Sequence, residues 1–291
     1  MIKLEEPVIR PPSEADSLLL QVTIGCSHNR CTFCGTYMMK KFRIRPVKDV
    51  LGEIDWAAEH FRDVRRVFLC DGNALCVESA HLGKILDRIN RRFPALQRIG
   101  IYANAGDLLG KSVEELRSFR EKKLAIAYLG LESGSDEVLL RAKKGNTAAE
   151  AVEAVQRAHE AGIKISAMTL LGLGGKELTE AHALDSAKVL NAMNPRFISF
   201  LTVVVLPNTA LERAQREGRF TPPEPLEVVK ELRTIVSNLE VTNSILRSNH
   251  VSNLVTLAGN LPRDKEHLLA QIDECLADPK LLRDRPFPYL L

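Results

Sequence analysis

The chain has 291 residues, 45% hydrophobic and 26% charged, a mix that excludes a disordered or coiled-coil protein and fits one large domain with at most an appendage. Forty Lys and Arg against 37 Asp and Glu leave a net charge of +3, too small for a protein that coats nucleic acid, although a local basic groove stays open. The longest apolar run, Phe197 to Leu206, is interrupted by Ser199 and Thr202 and falls far short of the roughly 20 residues of a membrane span. With an acidic amino terminus and no secretory signal, the expectation is a cytoplasmic protein.

Ser17 to Thr23 reads as a short buried strand, and a cysteine-rich loop follows it directly. Pro46 opens a helical pattern that runs to Phe61. Val67 to Cys70 is the second strand, ended by Asp71-Gly72-Asn73, and Leu82 to Ile89 is helical. Ile99 to Tyr102 is the third strand, after which Ser112-Val-Glu-Glu115 is a capping box. Leu124 to Leu131 forms the fourth strand, ending in Glu132-Ser133-Gly134. A second capping box, Thr147-Ala-Ala-Glu150, starts a helix that Gly162 closes. Ile163 to Leu171 is the fifth strand and runs into Gly172-Leu-Gly-Gly175. A helix over 179–193 then leads to the sixth strand, Phe197 to Leu206, stopped by Pro207.

Six strands alternating with helices imply right-handed crossovers and a parallel sheet. The predicted class is α/β, a partial (β/α)6 barrel over residues 1–207. In such barrels the chemistry sits in the loops at the strand carboxyl ends, so these loops should converge on one rim. Beyond a stiff Thr221-Pro-Pro-Glu-Pro linker, helical patterns over Leu226–Leu239 and Asp264–Leu276 suggest that 208–291 is a mainly helical extension covering the barrel. Within it, Arg247 to Asn253 packs polar groups together, either to touch substrate or as a hydrogen-bonded loop.

Three of the six cysteines, Cys26, Cys31 and Cys34, crowd into nine residues with the spacing C-x4-C-x2-C. In a reducing compartment such a cluster points to metal binding or catalysis rather than disulfides. Three thiolates can hold three irons of a [4Fe–4S] cubane and leave the fourth open to a non-protein ligand. Zinc instead wants a fourth protein ligand, and His28 lies close enough in sequence to supply one. Cys70, Cys76 and Cys275 read as small buried apolar residues, with an auxiliary cluster as the alternative.

Residues 17–207 resemble the radical S-adenosylmethionine (SAM) superfamily, in particular the branch of coproporphyrinogen dehydrogenase, Elp3-like and methylthiotransferase-like (MiaB) enzymes. The cysteine triad with Phe33 before its last member carries the resemblance, although the superfamily usually spaces its cysteines C-x3-C-x2-C. The resemblance implies a [4Fe–4S] cluster on Cys26, Cys31 and Cys34, with SAM chelating the unique iron. It assigns Asp71, Gly72 and Asn73 to the turn that contacts the SAM amino group. Glu132 and Ser133 would contact the ribose or methionine portion, and Lys144 would pair with the SAM carboxylate. Asn104 falls in a third-strand turn, with Tyr102 in place of the family's glutamate. Leu170 and Gly172 belong to the glycine motif lining the adenine pocket, where Met168 replaces an Asp of some relatives, and Leu206 would wall that pocket. No residue is assigned a catalytic role beyond these contacts.

The implied reaction is reductive cleavage of SAM followed by hydrogen abstraction from an unidentified substrate, expected to be a small molecule. A low-potential donor such as flavodoxin or ferredoxin would supply the electron. An RNA substrate stays open, as does a zinc-stabilised α/β binding protein, and no membrane partner is expected.

Overall fold

The alternating pattern folds into two compact units whose segments interleave along the chain. The first comprises 1–29, 36–129 and 154–165; the second comprises 30–35, 130–153 and 166 onward, running across residue 207 without a break. The structure, a computed structural model, describes residues 1–283, so the end of the 208–291 extension lies outside the described residues.

In the first unit β1 (Leu18–Gln21), a two-residue β2 (Thr23–Ile24) and β3 (Arg43–Ile44) are followed by α1 (Val47–His60), β4 (Arg66–Cys70) and α2 (Ser79–Arg92). Then come β5 (Arg98–Ala103), α3 (Ala105–Leu109), α4 (Val113–Glu121) and β6 (Leu124–Glu132), whose last residues enter the second unit. Strands β1, β4, β5 and β6 pair side by side and parallel, with Leu20 opposite Leu69, Leu69 opposite Ile101 and Ile101 opposite Ala127. Parallel strands require crossovers, and the helices between them present buried faces at helical spacing: Val50, Ile54 and Ala57 on α1, and Leu82, Ile85, Leu86 and Ile89 on α2. The expected capping box of α4 is formed, the Ser112 hydroxyl accepting from the Glu115 N–H at 3.2 Å and the Glu115 carboxylate from the Ser112 N–H at 2.8 Å.

The first strand differs from its expectation. It stops at Gln21, and Thr23 belongs to an antiparallel ribbon that pairs Thr23 with Ile44 and Ile24 with Arg43. Strands of two residues carry no readable alternation, which is why the ribbon leaves no trace in the hydrophobic pattern.

The second unit continues with α5 (Asp136–Arg141), α6 (Ala148–Glu160, which ends in the first unit), β7 (Lys164–Leu171), α7 (Thr179–Met193) and β8 (Phe197–Thr202). It is completed by α8 (Ala210–Arg216), α9 (Pro225–Ser237), β9 (Ser244–Arg247), β10 (Ala258–Leu261) and α10 (Lys265–Ala277). Strand β7 pairs parallel with β8 and β8 with β9, while β10 returns antiparallel to β9. The segment after residue 207 thus adds two strands to its helices. β9 went unread because its four residues lie in a polar stretch, yet Ser244 and Leu246 alternate into the core.

β8 ends at Thr202, so Leu206, expected at the sixth strand's end, sits in the loop beyond it. The cause is polar competition for the ladder. Ser252 Oγ accepts the Thr202 N–H at 3.0 Å, and the Asn253 side chain donates to the Phe200 carbonyl at 2.7 Å and accepts from Thr202 Oγ1 at 3.1 Å. Within the Arg247–Asn253 segment, buried Ser252 and Asn253 therefore hold β8, while buried Ser248 donates its hydroxyl to the Val255 carbonyl at 3.1 Å.

Candidate functional site

In the first unit the Asp71-Gly72-Asn73 turn after β4 holds the loop on both sides of Cys26. Asp71 Oδ2 accepts the Gly25 N–H at 2.9 Å, and Asn73 Oδ1 accepts the Ser27 N–H at 2.9 Å. Asp71 is fully buried and forms an ion pair with Lys40 at 2.8 Å. The Lys40 ammonium, itself buried, also donates to the carbonyls of Glu5 and Pro7, each at 2.6 Å. Thr23 Oγ1 donates to the Asp71 carbonyl at 3.0 Å, and the Cys70–Asp71 peptide is cis.

Gly72 lies between these two side chains at φ +42°. A Cβ there would stand 2.2 Å from the Gly25 carbonyl oxygen and 2.6 Å from Cys26 Cα, so only glycine lets the two backbones touch. Asn73 Nδ2 donates to Ser27 Oγ at 2.8 Å and to both Asp107 oxygens at 3.0 Å. Asp107 in turn accepts the Asn104 N–H at 2.8 Å, closing a capping box at the start of α3. The Asp71 and Asn73 side chains thus act on the cysteine loop, and Asn104 caps a helix that the sequence reading took for a turn. Lys40 and Asp107 went unread; for Asp107 the Asn-x-x-Asp spacing was an available capping signal.

In the second unit the Cys31–Cys34 turn is closed by the Cys34 N–H on the Cys31 carbonyl at 3.2 Å. Its backbone is stitched on both sides. The Thr32 N–H donates to the Ala142 carbonyl at 2.9 Å, and the Leu211 N–H donates to the Thr32 carbonyl at 2.8 Å. Phe33 packs against Val138, Ala142 and Leu173, in company with Leu170, Leu178 and Val203. Leu206 closes over Gly35, where a Cβ would meet its Cδ1 at 3.0 Å. Beside Thr32 opens a cleft of about 780 Å³ bordered by Ala142, Leu173, Gly174, Arg213 and Phe220.

Glu132 and Lys144, assigned to the same cofactor from different loops, meet in an ion pair of 2.9 Å. Gly130 leaves the room for it, since a Cβ there would lie 2.0 Å from Glu132 Oε1 and 2.9 Å from Lys144 Nζ. Glu132 itself adopts φ +62°, which turns the chain sharply at the end of β6.

Ser133 is fully buried, and its hydroxyl stands 2.7 Å from His182 Nδ1 while accepting the Ser135 N–H at 3.0 Å. Gly172, at φ +80°, donates its N–H to Glu231 Oε1 at 2.6 Å, and Glu231 Oε2 accepts from Thr179 Oγ1 at 2.5 Å. Burial pulls the His182 imidazole down to about 4 and pushes the Glu231 carboxyl up to about 7. Neither residue carried a motif, so nothing in the sequence singled them out.

None of the six cysteines is tied in a disulfide. Burial pushes the Cys70 and Cys76 thiols up to about 12, which keeps them protonated at neutral pH. Among the described residues no three His, Cys, Asp or Glu side chains already form a metal-binding set. Cys26 in the first unit and Cys31 and Cys34 in the second are each half-buried and tied in no disulfide, soft thiols of the kind that iron–sulfur clusters and zinc select.

Residues 20–190 match the radical SAM superfamily. The chain belongs to that superfamily of enzymes. Among curated relatives, this radical SAM chain is 24% identical over 183 residues to the heme chaperone HemW of Bacillus subtilis (strain 168), covering 61% of this chain and 47% of that protein. It is 29% identical over 196 residues to a tRNA-2-methylthio-N(6)-dimethylallyladenosine synthase of Alkalilimnicola ehrlichii, covering 63% of this chain and 42% of the relative. The chain therefore spans less than half the length of these relatives.

Solved structures share the α/β fold. The radical SAM methyltransferase TsrM of Kitasatospora setae, with cobalamin and a [4Fe–4S] cluster bound, superposes with a TM-score of 0.57 at 19% identity, over 71% of this chain and 41% of that one. The coproporphyrinogen III oxidase HemN of Escherichia coli gives 0.57 at 18% identity, over 76% of this chain and 52% of that one. The HemW and methylthio synthase relatives are consistent with the branch that residues 17–207 resemble. Among the described residues no helix is long and apolar enough to cross a membrane.

Proposed function

We propose that this radical SAM chain binds a [4Fe–4S] cluster through Cys26, Cys31 and Cys34 and cleaves SAM reductively to abstract hydrogen from a small-molecule substrate. The observation that carries the reading is the loop itself: three cysteines in nine residues, inside a segment that matches the superfamily from residue 20 to 190. The donor chemistry fits the group, and the Gly72 cradle beneath Cys26 supports a loop of defined shape. When bound, the cluster supplies the electron that breaks the sulfonium C–S bond of SAM, giving methionine and a deoxyadenosyl radical.

The chain's own residues hold and orient. Asp71 and Asn73 fix the amides flanking Cys26, while Ala142 and Leu211 fix the backbone of Thr32, so each part of the loop is anchored independently. Lys144 supplies a cation for the SAM carboxylate, for which that carboxylate competes with Glu132. Glu132, once released, is the natural acceptor for the SAM amino group or ribose hydroxyls. None of the three cysteines and none of the SAM-assigned residues borders the cleft beside Thr32; the preference for a small-molecule substrate rests on the low net charge of +3. The electron is expected to come from a flavodoxin- or ferredoxin-like donor.

Anaerobic reconstitution with iron and sulfide tests the metal directly. Four irons per chain with broad visible absorption are expected; a colourless protein holding one zinc, on Cys26, His28, Cys31 and Cys34, would overturn the reading.

A second reading, an RNA substrate, is favoured by the tRNA-modifying relative. It requires tRNA binding that weakens steeply with salt, and salt-independent or absent binding removes it.

A further inference from the structure

Ser133 with His182, and Glu231 with Thr179 and Gly172, form two hydrogen-bonded groups that meet along one polar path in the interior of the second unit, at a gap where, among the described residues, His182 Nε2 makes no hydrogen bond. His182 and Glu231 side chains expose nothing to solvent, and His182 Nε2 stands 3.5 Å from Glu231 Oε1. The serine, imidazole and carboxylate succession resembles a hydrolase triad, but nothing reaches its serine, whose oxygen already accepts the Ser135 N–H. A nucleophile needs access, so the path has another use.

Its two ends identify that use. One end is Ser133, in the turn where β6 stops; the other is the Gly172 amide, where β7 stops. These turns carry the SAM-facing assignments of the fourth and fifth strands. Helices α7 and α9 bring His182 and Glu231 beneath them, from 49 residues beyond Ser133 and 59 beyond Gly172. Two neighbouring glycines tighten the same region. A Cβ at Gly134 would lie 2.2 Å from the Asp185 carbonyl oxygen, and one at Gly174 2.9 Å from that of Leu178.

We propose that Glu231 and His182 are positioning residues that hold the β6 and β7 end turns at the spacing SAM requires, Glu231 through the Gly172 amide and His182 through the Ser133 hydroxyl. This rests on the reading that SAM binds at those turns.

The chemistry suits a fixed support. Glu231 Oε1 accepts from the Gly172 N–H and Oε2 from the Thr179 hydroxyl, so the carboxyl links strand end and helix start. Ser133 donates to His182 Nδ1 in the tautomer that carries its proton on Nε2, the atom that faces Glu231. Desolvation dominates at both groups, favouring a neutral acid beside a neutral imidazole. The remaining charged residues of the two helices, Glu180, Asp185 and Lys188 on α7 and Glu227, Lys230 and Arg233 on α9, shift neither group. Nearby Lys176 is held by Glu224 and Glu227.

The test compares reconstituted wild type, Glu231→Ala, Glu231→Gln and His182→Phe by equilibrium SAM binding, iron content and backbone amide exchange. Glu231→Ala strands the Gly172 N–H, and loss of one buried acceptor should weaken SAM binding about tenfold with iron content unchanged. Amides of 172–175 should exchange at least about tenfold faster, those of 133–135 likewise in His182→Phe. Glu231→Gln keeps an acceptor for Gly172 and should restore most of the affinity, which a bulk loss of stability would not allow. Unchanged SAM affinity with protected turn amides in Glu231→Ala overturns the proposal, as does a Glu231→Gln chain no better than alanine. If the wild type binds no SAM, the reading of function falls instead, and amide exchange alone then decides whether the pair holds the turns.

Discussion

At the scale of single residues, the most demanding position is Gly72. A methyl group there meets backbone on the cysteine loop, not a flexible side-chain end, and the positive φ adds strain to the clash. Gly72→Ala is expected to push Cys26 out of place and cut the iron retained on reconstitution several-fold, measured by metal analysis against a circular-dichroism melt that shows the rest folded. Iron content equal to wild type would mean that the close approach is incidental.

The buried acid–imidazole pair gives a second residue-scale expectation. Glu231 titrates near 7 when folded against an ordinary 4.5, so it binds its proton more tightly in the native state and withdraws stability as pH rises through that window. His182 titrates near 4 against 6.5, so it withdraws stability as pH falls from 6.5 towards 4. Between about 4.5 and 6.5 the native pair holds one proton on the acid and the unfolded pair one on the imidazole, so the two slopes cancel. His182→Phe should therefore unmask a loss of roughly 1 kcal/mol per pH unit as pH rises from 4.5 to 7. Glu231→Gln should show the opposite slope from 4 to 6.5. Denaturant titrations across pH decide it, and flat profiles in both variants would refute the assignment.

At the scale of elements, legibility followed periodicity and capping chemistry. Helix α7 carries its expected bounds, and the Ser112 and Thr147 capping boxes are formed. Ser112→Ala should cost about 1 kcal/mol of stability while leaving iron content unchanged, since α4 carries none of the site residues. What stayed hidden was short or long-range: the ribbon of β2 and β3, the four-residue β9 that pairs with β8, and α3, α5 and α8, each only one or two turns. Long-range contacts complete such elements: Asp107 caps its own helix by accepting the Asn104 N–H and also accepts from Asn73, 34 residues earlier. The same holds within the site. Motif residues Glu132 and Lys144 do come together, but Asp71, Asn73 and Ser133 turn inward to hold loops; the partners Lys40 and His182, like Glu231 at Gly172, have no local signature, and Asp107 has only its Asn-x-x-Asp spacing.

At the scale of the whole molecule, the family match and the donor set point the same way while leaving the substrate to experiment. The chain covers less than half of HemW and of the methylthio synthase, so what it shares with them is the radical SAM region. Radical chemistry of this kind depends on orientation and on exclusion of competing reactions, and the interior hydrogen-bonded supports supply rigidity for both. The decisive measurement is formation of 5′-deoxyadenosine and methionine from SAM by the anaerobically reconstituted, dithionite-reduced chain, run beside Cys31→Ala. Wild type should form both products and the variant neither, with both chains folded; product from the variant at the wild-type rate, or none from a wild type that carries four irons, would contradict the assignment.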